Sequence, residues 1–136
     1  MSKTREQLIN QSLLNLGVIA EGQSISTEDM NKMDGIVDPA IAQLSALDVY
    51  YVSDPGALGP SGGEIPDEAF LSIAKYIANE ACSAFNLPAD QKMQAMAVDA
   101  VDKLRIITAP TRTLRYLKVD PAVRRVRRWY NIRSTT

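Results

Sequence analysis

The chain has 136 residues, 46% hydrophobic and 23% charged, enough for one compact domain with some excess, too few for a second full domain and too apolar for disorder throughout. With no His and one Cys, Cys82, it excludes zinc fingers, disulfides, Ser-His-Asp or Cys-His nucleophiles and His-based acid-base pairs. The formal net charge of -1 hides a division: up to Asp102 there are 5 basic and 15 acidic residues, a balance of -10, whereas from Lys103 onward 10 basic residues face Asp120 alone, a balance of +9. Such asymmetry marks an acidic body with a basic interaction segment.

Thr4 to Leu16 reads as a helix. Thr4 and Gln7 form a capping-box pair, and Leu8, Ile9, Leu13 and Leu16 recur on one face. Gly17 stops it by taking positive φ, and Val18 and Ile19 lead the chain across the core. Ser26 offers the N-cap of a second helix, with Glu28 and Asp29 in the first turn, where the dipole favours acids. Its apolar stripe is Met30, Met33, Val37, Ala40, Leu44 and Leu47; Pro39 inside it predicts a kink near Gly35 or two shorter helices.

From Ser53 to Pro66 lie four of the seven Gly and three of the seven Pro. That composition predicts a loop or exposed lobe and not a buried element. Asp67 then caps a third helix with Phe70, Ile73, Ala74, Ile77, Ala81 and Phe85 on its stripe, ended by Leu87-Pro88. A fourth helix spans about Ala89 to Ile107, with Met93, Ala97, Ala100, Leu104 and Ile107 inward, and the small residues of both stripes allow close approach. After Pro110 the character changes. Thr111 to Val119 suits an extended strand-like stretch, Asp120-Pro121 is a good N-cap with Pro at N1, and Ala122 to Tyr130 forms a short helix carrying Arg124, Arg125, Arg127 and Arg128. A helix of about ten residues is marginal alone in water and is expected to order on a partner.

The expected architecture is therefore all-α: a small four-helix bundle over 1–107, with the loop 53–66, and a long extended carboxyl-terminal arm over 108–136 ending in a short basic helix. At about 3.3 Å per extended residue the arm reaches on the order of 90 Å. The amino end carries no apolar h-region, and no run approaches the roughly 18 apolar residues of a membrane span, which fits residence in a cytosol.

Few residues suggest chemistry. The glycines of Pro55 to Gly63 lack the Lys-Ser/Thr of a phosphate loop and follow no core strand, so a flexible loop is expected. Glu28, Asp29, Asp34 and Asp38 fit no calcium spacing and read as a solvated helix face. Cys82 reads as a small core residue, and Met30, Met33, Met93 and Met96 as core filler. No catalytic residue, cofactor or metal ligand can be named, and no enzyme activity is expected. The arm has three readings: a solvated tail, which its many apolar and aromatic groups argue against; a nucleic-acid-binding segment, with Trp129 and Tyr130 stacking; or a segment that docks on a protein, where Arg, Trp and Tyr supply hot spots. The acidic body would repel a polyanion and favours the third.

The run Thr4-Arg5-Glu6-Gln7-Leu8-Ile9 through Leu13-Leu14-Asn15-Leu16-Gly17-Val18 resembles the opening of tailed-phage head-to-tail adaptor proteins, the head-completion or connector proteins that include the tail accessory factor of short-tailed phages. The order of elements is similar too: a second helix of spaced apolar residues, a loop, an Ala-rich third helix with an aromatic before Leu-Pro, and a fourth helix. The resemblance implies a homo-oligomeric ring, commonly of twelve copies, in the neck of a virion assembled in host cytoplasm. That ring sits beneath the portal of a DNA-filled capsid and offers a surface to a downstream tail or nozzle protein. DNA passes its channel without specific binding, and no membrane is involved. In that family a carboxyl-terminal segment packs on the portal, which by position assigns portal docking to Arg112, Arg115, Tyr116, Lys118, Arg124, Arg125, Arg127, Arg128, Trp129 and Tyr130. The alternative is a small nucleic-acid-binding regulatory protein using the same basic segment.

Overall fold

The computed structural model describes residues 1–59 and 62–110. The expected strand-like stretch 111–119, the basic helix 122–130, all ten residues assigned to portal docking, and Pro60 and Ser61 of the loop lie outside the described residues. Among those described, the chain is mostly helical, with four helices and little strand: α1 (Arg5–Leu16), α2 (Thr27–Ala46), α3 (Asp67–Ala81) and α4 (Gln91–Thr108), with a two-stranded antiparallel pair of β1 (Ser2–Lys3) and β2 (Ile65–Pro66).

Local chemistry accounts for the helix ends. The Thr4 side chain accepts from the Gln7 N–H at 3.3 Å while the Gln7 side chain accepts from the Thr4 N–H at 3.2 Å, closing the capping box. Gly17 takes φ 79° at the other end of α1. Ser26 caps α2 by accepting the Asp29 N–H at 3.1 Å. Helix α2 then leaves through a Schellman turn: Asp48 stands at φ 53°, its N–H donates to Ser45 O at 3.1 Å, and the Val49 N–H donates to Leu44 O at 3.0 Å.

Helix α3 is the hub, packed on α1, α2 and α4. Nine of its residues are buried, including Ala69, Phe70, Ile73, Ala74, Tyr76, Ile77 and Ala78, so it is covered round most of its circumference. The core gathers Leu8, Ile9 and Leu13 of α1, Met33, Val37 and Leu44 of α2, and Ile73 and Ile77 of α3, all at or below 1% exposure. Each such side chain contributes roughly 1.5–3 kcal/mol by leaving water. Helix α4 buries only Ala97, Ala100 and Leu104, a narrow stripe through which it leans on α3. Its small residues, with Ala74, Ala78 and Ala81, allow the close approach that the sequence implied.

Several expectations are corrected. Helix α2 is one continuous helix, so Pro39 does not divide it into two; the inward positions are Met33, Val37, Ala40, Ile41 and Leu44, and Leu47 is 60% exposed because the Schellman turn sends it outward. Asp67 is the first residue of α3 and not its cap; the cap position is Pro66, which makes no side-chain bond. Helix α3 ends at Ala81, before Phe85. The backbone runs on in turns and closes with a second Schellman pair, Asn86 N–H to Ser83 O at 3.3 Å and Leu87 N–H to Cys82 O at 3.0 Å, with Asn86 at φ 53°. Phe85 is half-buried beneath the Lys32 ammonium, 5.1 Å from its ring centre. Ile107 faces outward, and Cys82 is half-buried and not in the core.

The Gly-rich segment is also more ordered than expected. Ile65 is fully buried, Ser2 pairs with Pro66 and Lys3 with Ile65, and Asp54 bridges Glu64 across the base of the loop. Buried Val52 and Ile65 thus pin both ends of the loop.

Candidate interaction site

The one tight charge cluster among the described residues is centred on Arg5, which is 2% exposed in the first turn of α1. Its Nε donates to Asp34 Oδ1 at 2.6 Å, Nη1 to Asp38 Oδ1 at 2.6 Å and to Gly56 O at 3.0 Å, and Nη2 to Asp38 Oδ2 at 3.0 Å and to Asp34 O at 3.1 Å. All five guanidinium N–H groups have an acceptor. The Arg5 backbone N–H adds a bond to Gly62 O at 2.9 Å. Through its side chain and its backbone N–H, this one residue therefore joins the start of α1, the middle of α2 and both limbs of the Gly-rich loop. The Asp38 hydrogen bond and the two negative charges raise the Arg5 pKa against the opposing effect of burial.

Asp34 and Asp38 keep 30% and 63% of their side-chain exposure, so they lie on a solvated face as the sequence reading held, but that reading did not include their bonds to Arg5. Asp29 accepts from the Ser26 hydroxyl at 2.8 Å, and Glu28 is exposed. Among the described residues no group of three or more His, Cys, Asp or Glu is placed to hold a metal ion.

The glycines serve backbone packing. A Cβ on Gly56 would overlap the Gly63 backbone, and one on Gly62 would overlap the Ala57 carbonyl. The Gly56 N–H, which a phosphate would need, donates instead to Asp54 Oδ1 at 3.0 Å. Two open grooves border α3 and α4. One, of about 530 Å³, is lined by Tyr76, Val98, Val101 and Arg105 among others; the other, of about 310 Å³, borders Cys82. Burial first, then the negative charges of Asp90 and Glu80, push the Cys82 thiol above its ordinary pKa, which disfavours the thiolate a nucleophile needs.

The described part of the charge division ends at α4. Lys103 pairs with Asp99 at 2.7 Å, and Arg105 lies 4.0 Å from Asp102, all four well exposed. Two of the basic residues counted with the arm are therefore balanced on their own helix. Up to Arg105 the chain carries 7 basic and 15 acidic residues, a balance of -8; beyond it, 8 basic residues face one acid, a balance of +7.

No protein-family model and no curated protein matches the chain. None of the ten residues assigned to portal docking is among those described. What the described residues supply is their root: α4 ends at Thr108, whose hydroxyl lies 2.7 Å from the Val49 carbonyl. Among the described residues no helix is long and apolar enough to cross a membrane.

Sequence reasoning missed Arg5. A signal was present: Asp34 and Asp38 stand at i and i+4 on one helix, a like-charge pair that destabilises unless a cation sits between them. Arg5 itself occupies a helix first turn, where the dipole disfavours a cation.

Proposed function

We propose that this chain is a structural head-to-tail adaptor of a tailed phage virion, without catalysis. It would form a ring beneath the portal, close the DNA-filled capsid and offer the attachment site for the tail, while its arm, extended and ending in a short basic helix, fastens to the portal. The observation that carries this reading is the charge division at the end of α4, -8 before and +7 after. An acidic helical body can border a channel without gripping the DNA that leaves through it, and a basic arm is steered to an acidic partner. The order of the four helices, with a loop between the second and the third, supports the reading. Weak contacts repeated round a ring add by avidity.

The test is co-sedimentation with the portal of the same phage. The full chain is expected to bind and a version truncated after Thr108 to stay free; if neither binds, or both bind equally, the reading fails. Filter binding to duplex and single-stranded DNA across salt addresses the nucleic-acid reading. A steep loss of affinity with salt, on the order of one power of the salt concentration per phosphate contact, would favour that reading.

A further inference from the structure

The Gly-rich loop is fastened to the body at few points. Val52 and Ile65, at its two ends, are 5% and 0% exposed, and none of the described residues between them is buried. Among the described residues, two hydrogen bonds tie 53–59 and 62–64 to the rest of the chain. Both come from Arg5: Nη1 donates to Gly56 O at 3.0 Å and the backbone N–H to Gly62 O at 2.9 Å. The other bonds of these limbs stay within the loop: Glu64 N–H to Asp54 O at 2.8 Å, Gly62 N–H to Gly59 O at 3.2 Å and Gly56 N–H to Asp54 Oδ1 at 3.0 Å.

Breaking the two Arg5 ties costs the body little. Nε still holds Asp34, and Nη1 and Nη2 still hold Asp38, so the cation stays paired. The two donors and the two carbonyls that part turn to water, and a hydrogen bond exchanged for water is a small net loss. Gly56 and Gly63, held at φ 67° and 84° in the loop, regain more backbone freedom than other residues would. Val52 and Ile65 keep their places in the core.

We propose that the Gly-rich loop is a strap, hinged at Val52 and Ile65 and latched by Arg5, that opens and closes while the four helices stay folded. Closed, it covers Arg5, which is 2% exposed. Open, it bares the guanidinium and frees two N–H donors of Arg5 for another acceptor. The latch itself is rigid, because the Thr4–Gln7 capping box and the Leu8 N–H to Thr4 O bond at 3.1 Å hold the first turn of α1 in either state.

Native-state amide exchange of the full chain, followed by NMR and corrected for intrinsic rates, tests the proposal. The Arg5 amide, bonded to the strap, is expected to exchange at least about a hundred-fold faster than Ile73 and Ala74 of α3, which wait for global unfolding. Leu8 should lag Arg5 by at least about ten-fold, since strap opening leaves its bond intact. Ile77→Val, in the core, should speed the α3 amides about five-fold and leave Arg5 unchanged, because the open strap still buries Ile77. Gly62→Ala, whose Cβ meets the Ala57 carbonyl in the closed strap, should speed Arg5 about ten-fold. Arg5 and α3 exchanging together, or Arg5 following Ile77→Val, would mean that the loop leaves only with the whole fold and overturns the proposal. Leu8 keeping pace with Arg5 would assign the opening to fraying of α1 and overturns it equally, as does an Arg5 rate indifferent to Gly62→Ala.

Discussion

Arg5 grips Asp38 with both prongs of its guanidinium, Nη1 on Oδ1 at 2.6 Å and Nη2 on Oδ2 at 3.0 Å. The remaining three N–H groups go to Asp34 and Gly56. No other side chain among the described residues links α1, α2 and the Gly-rich loop through so many bonds. Removing one partner of a fully buried ion pair costs about 3–5 kcal/mol, because the other is left charged and dry. Here Asp34 and Asp38 keep 30% and 63% of their side-chain exposure and can rehydrate. Arg5→Ala is therefore expected to lower the unfolding free energy by a smaller amount, about 2–4 kcal/mol. Arg5→Lys keeps the charge but not the planar fork, and should lose about half as much. Urea unfolding of the three proteins checks the order; a lysine variant as stable as the original would show that charge alone matters.

The same contact gives a pH dependence. Hydrogen bonding from Arg5 holds the Asp38 carboxyl below its ordinary pKa, outweighing the opposite effect of burial. A carboxyl with a depressed folded pKa stabilises fully above its unfolded value near 4, and that contribution is lost as pH falls through the folded value. Arg5, raised from an already high value, does not titrate in this range. Unfolding midpoints of the unaltered protein should hold between pH 7 and 5 and fall below pH 4. Asp38→Asn, less stable at neutral pH, should converge on the unaltered protein near pH 3; parallel curves would assign the acid loss to other groups.

Helix placement was legible because it rests on local chemistry. Thr4 with Gln7, Gly17 and Ser26 each set a helix end through bonds to residues no more than four positions away. The errors arise where tertiary contacts decide. Pro39 spoils one helical bond, but buried Val37, Ala40 and Ile41 keep α2 whole around it. Ile65 lies in a run of Gly and Pro that reads as exposed, and only pairing with the distant Ser2–Lys3 makes it a strand. Arg5 finds Asp34 and Asp38 about thirty residues away, beyond any periodicity.

Asp48 and Asn86 each hold φ 53° at the C′ position of a Schellman turn, a conformation that costs an L-residue with a side chain about 1 kcal/mol and glycine nothing. Asn86→Gly should gain about 0.5 kcal/mol after the extra freedom of glycine in the unfolded chain is deducted. Asp48→Gly should gain nearer 1 kcal/mol, because it also removes an acid from the negative end of α2. Thermal unfolding would read these as rises of roughly 2 and 4 °C. A larger gain at Asn86 than at Asp48 would show that the helix dipole contributes little here.

Two glycines are expected to respond to alanine in opposite directions. Gly35 lies inside α2 with helical φ and nothing within 4 Å of where its Cβ would stand. Gly35→Ala should therefore stabilise by about 0.5–1 kcal/mol through helix propensity alone. Gly62 also needs no positive φ, but a Cβ there would overlap the Ala57 carbonyl across the loop. Its own carbonyl accepts the Arg5 N–H at 2.9 Å, so a displaced Gly62 pulls on the Arg5 cluster. Gly62→Ala should cost about 1–3 kcal/mol, as overpacking against backbone does. Combined with Arg5→Ala it should cost less than the sum of the two, since contacting residues in one network are not additive. A double-mutant cycle by urea unfolding measures the difference; strict additivity would show that the loop and the Arg5 cluster are held independently.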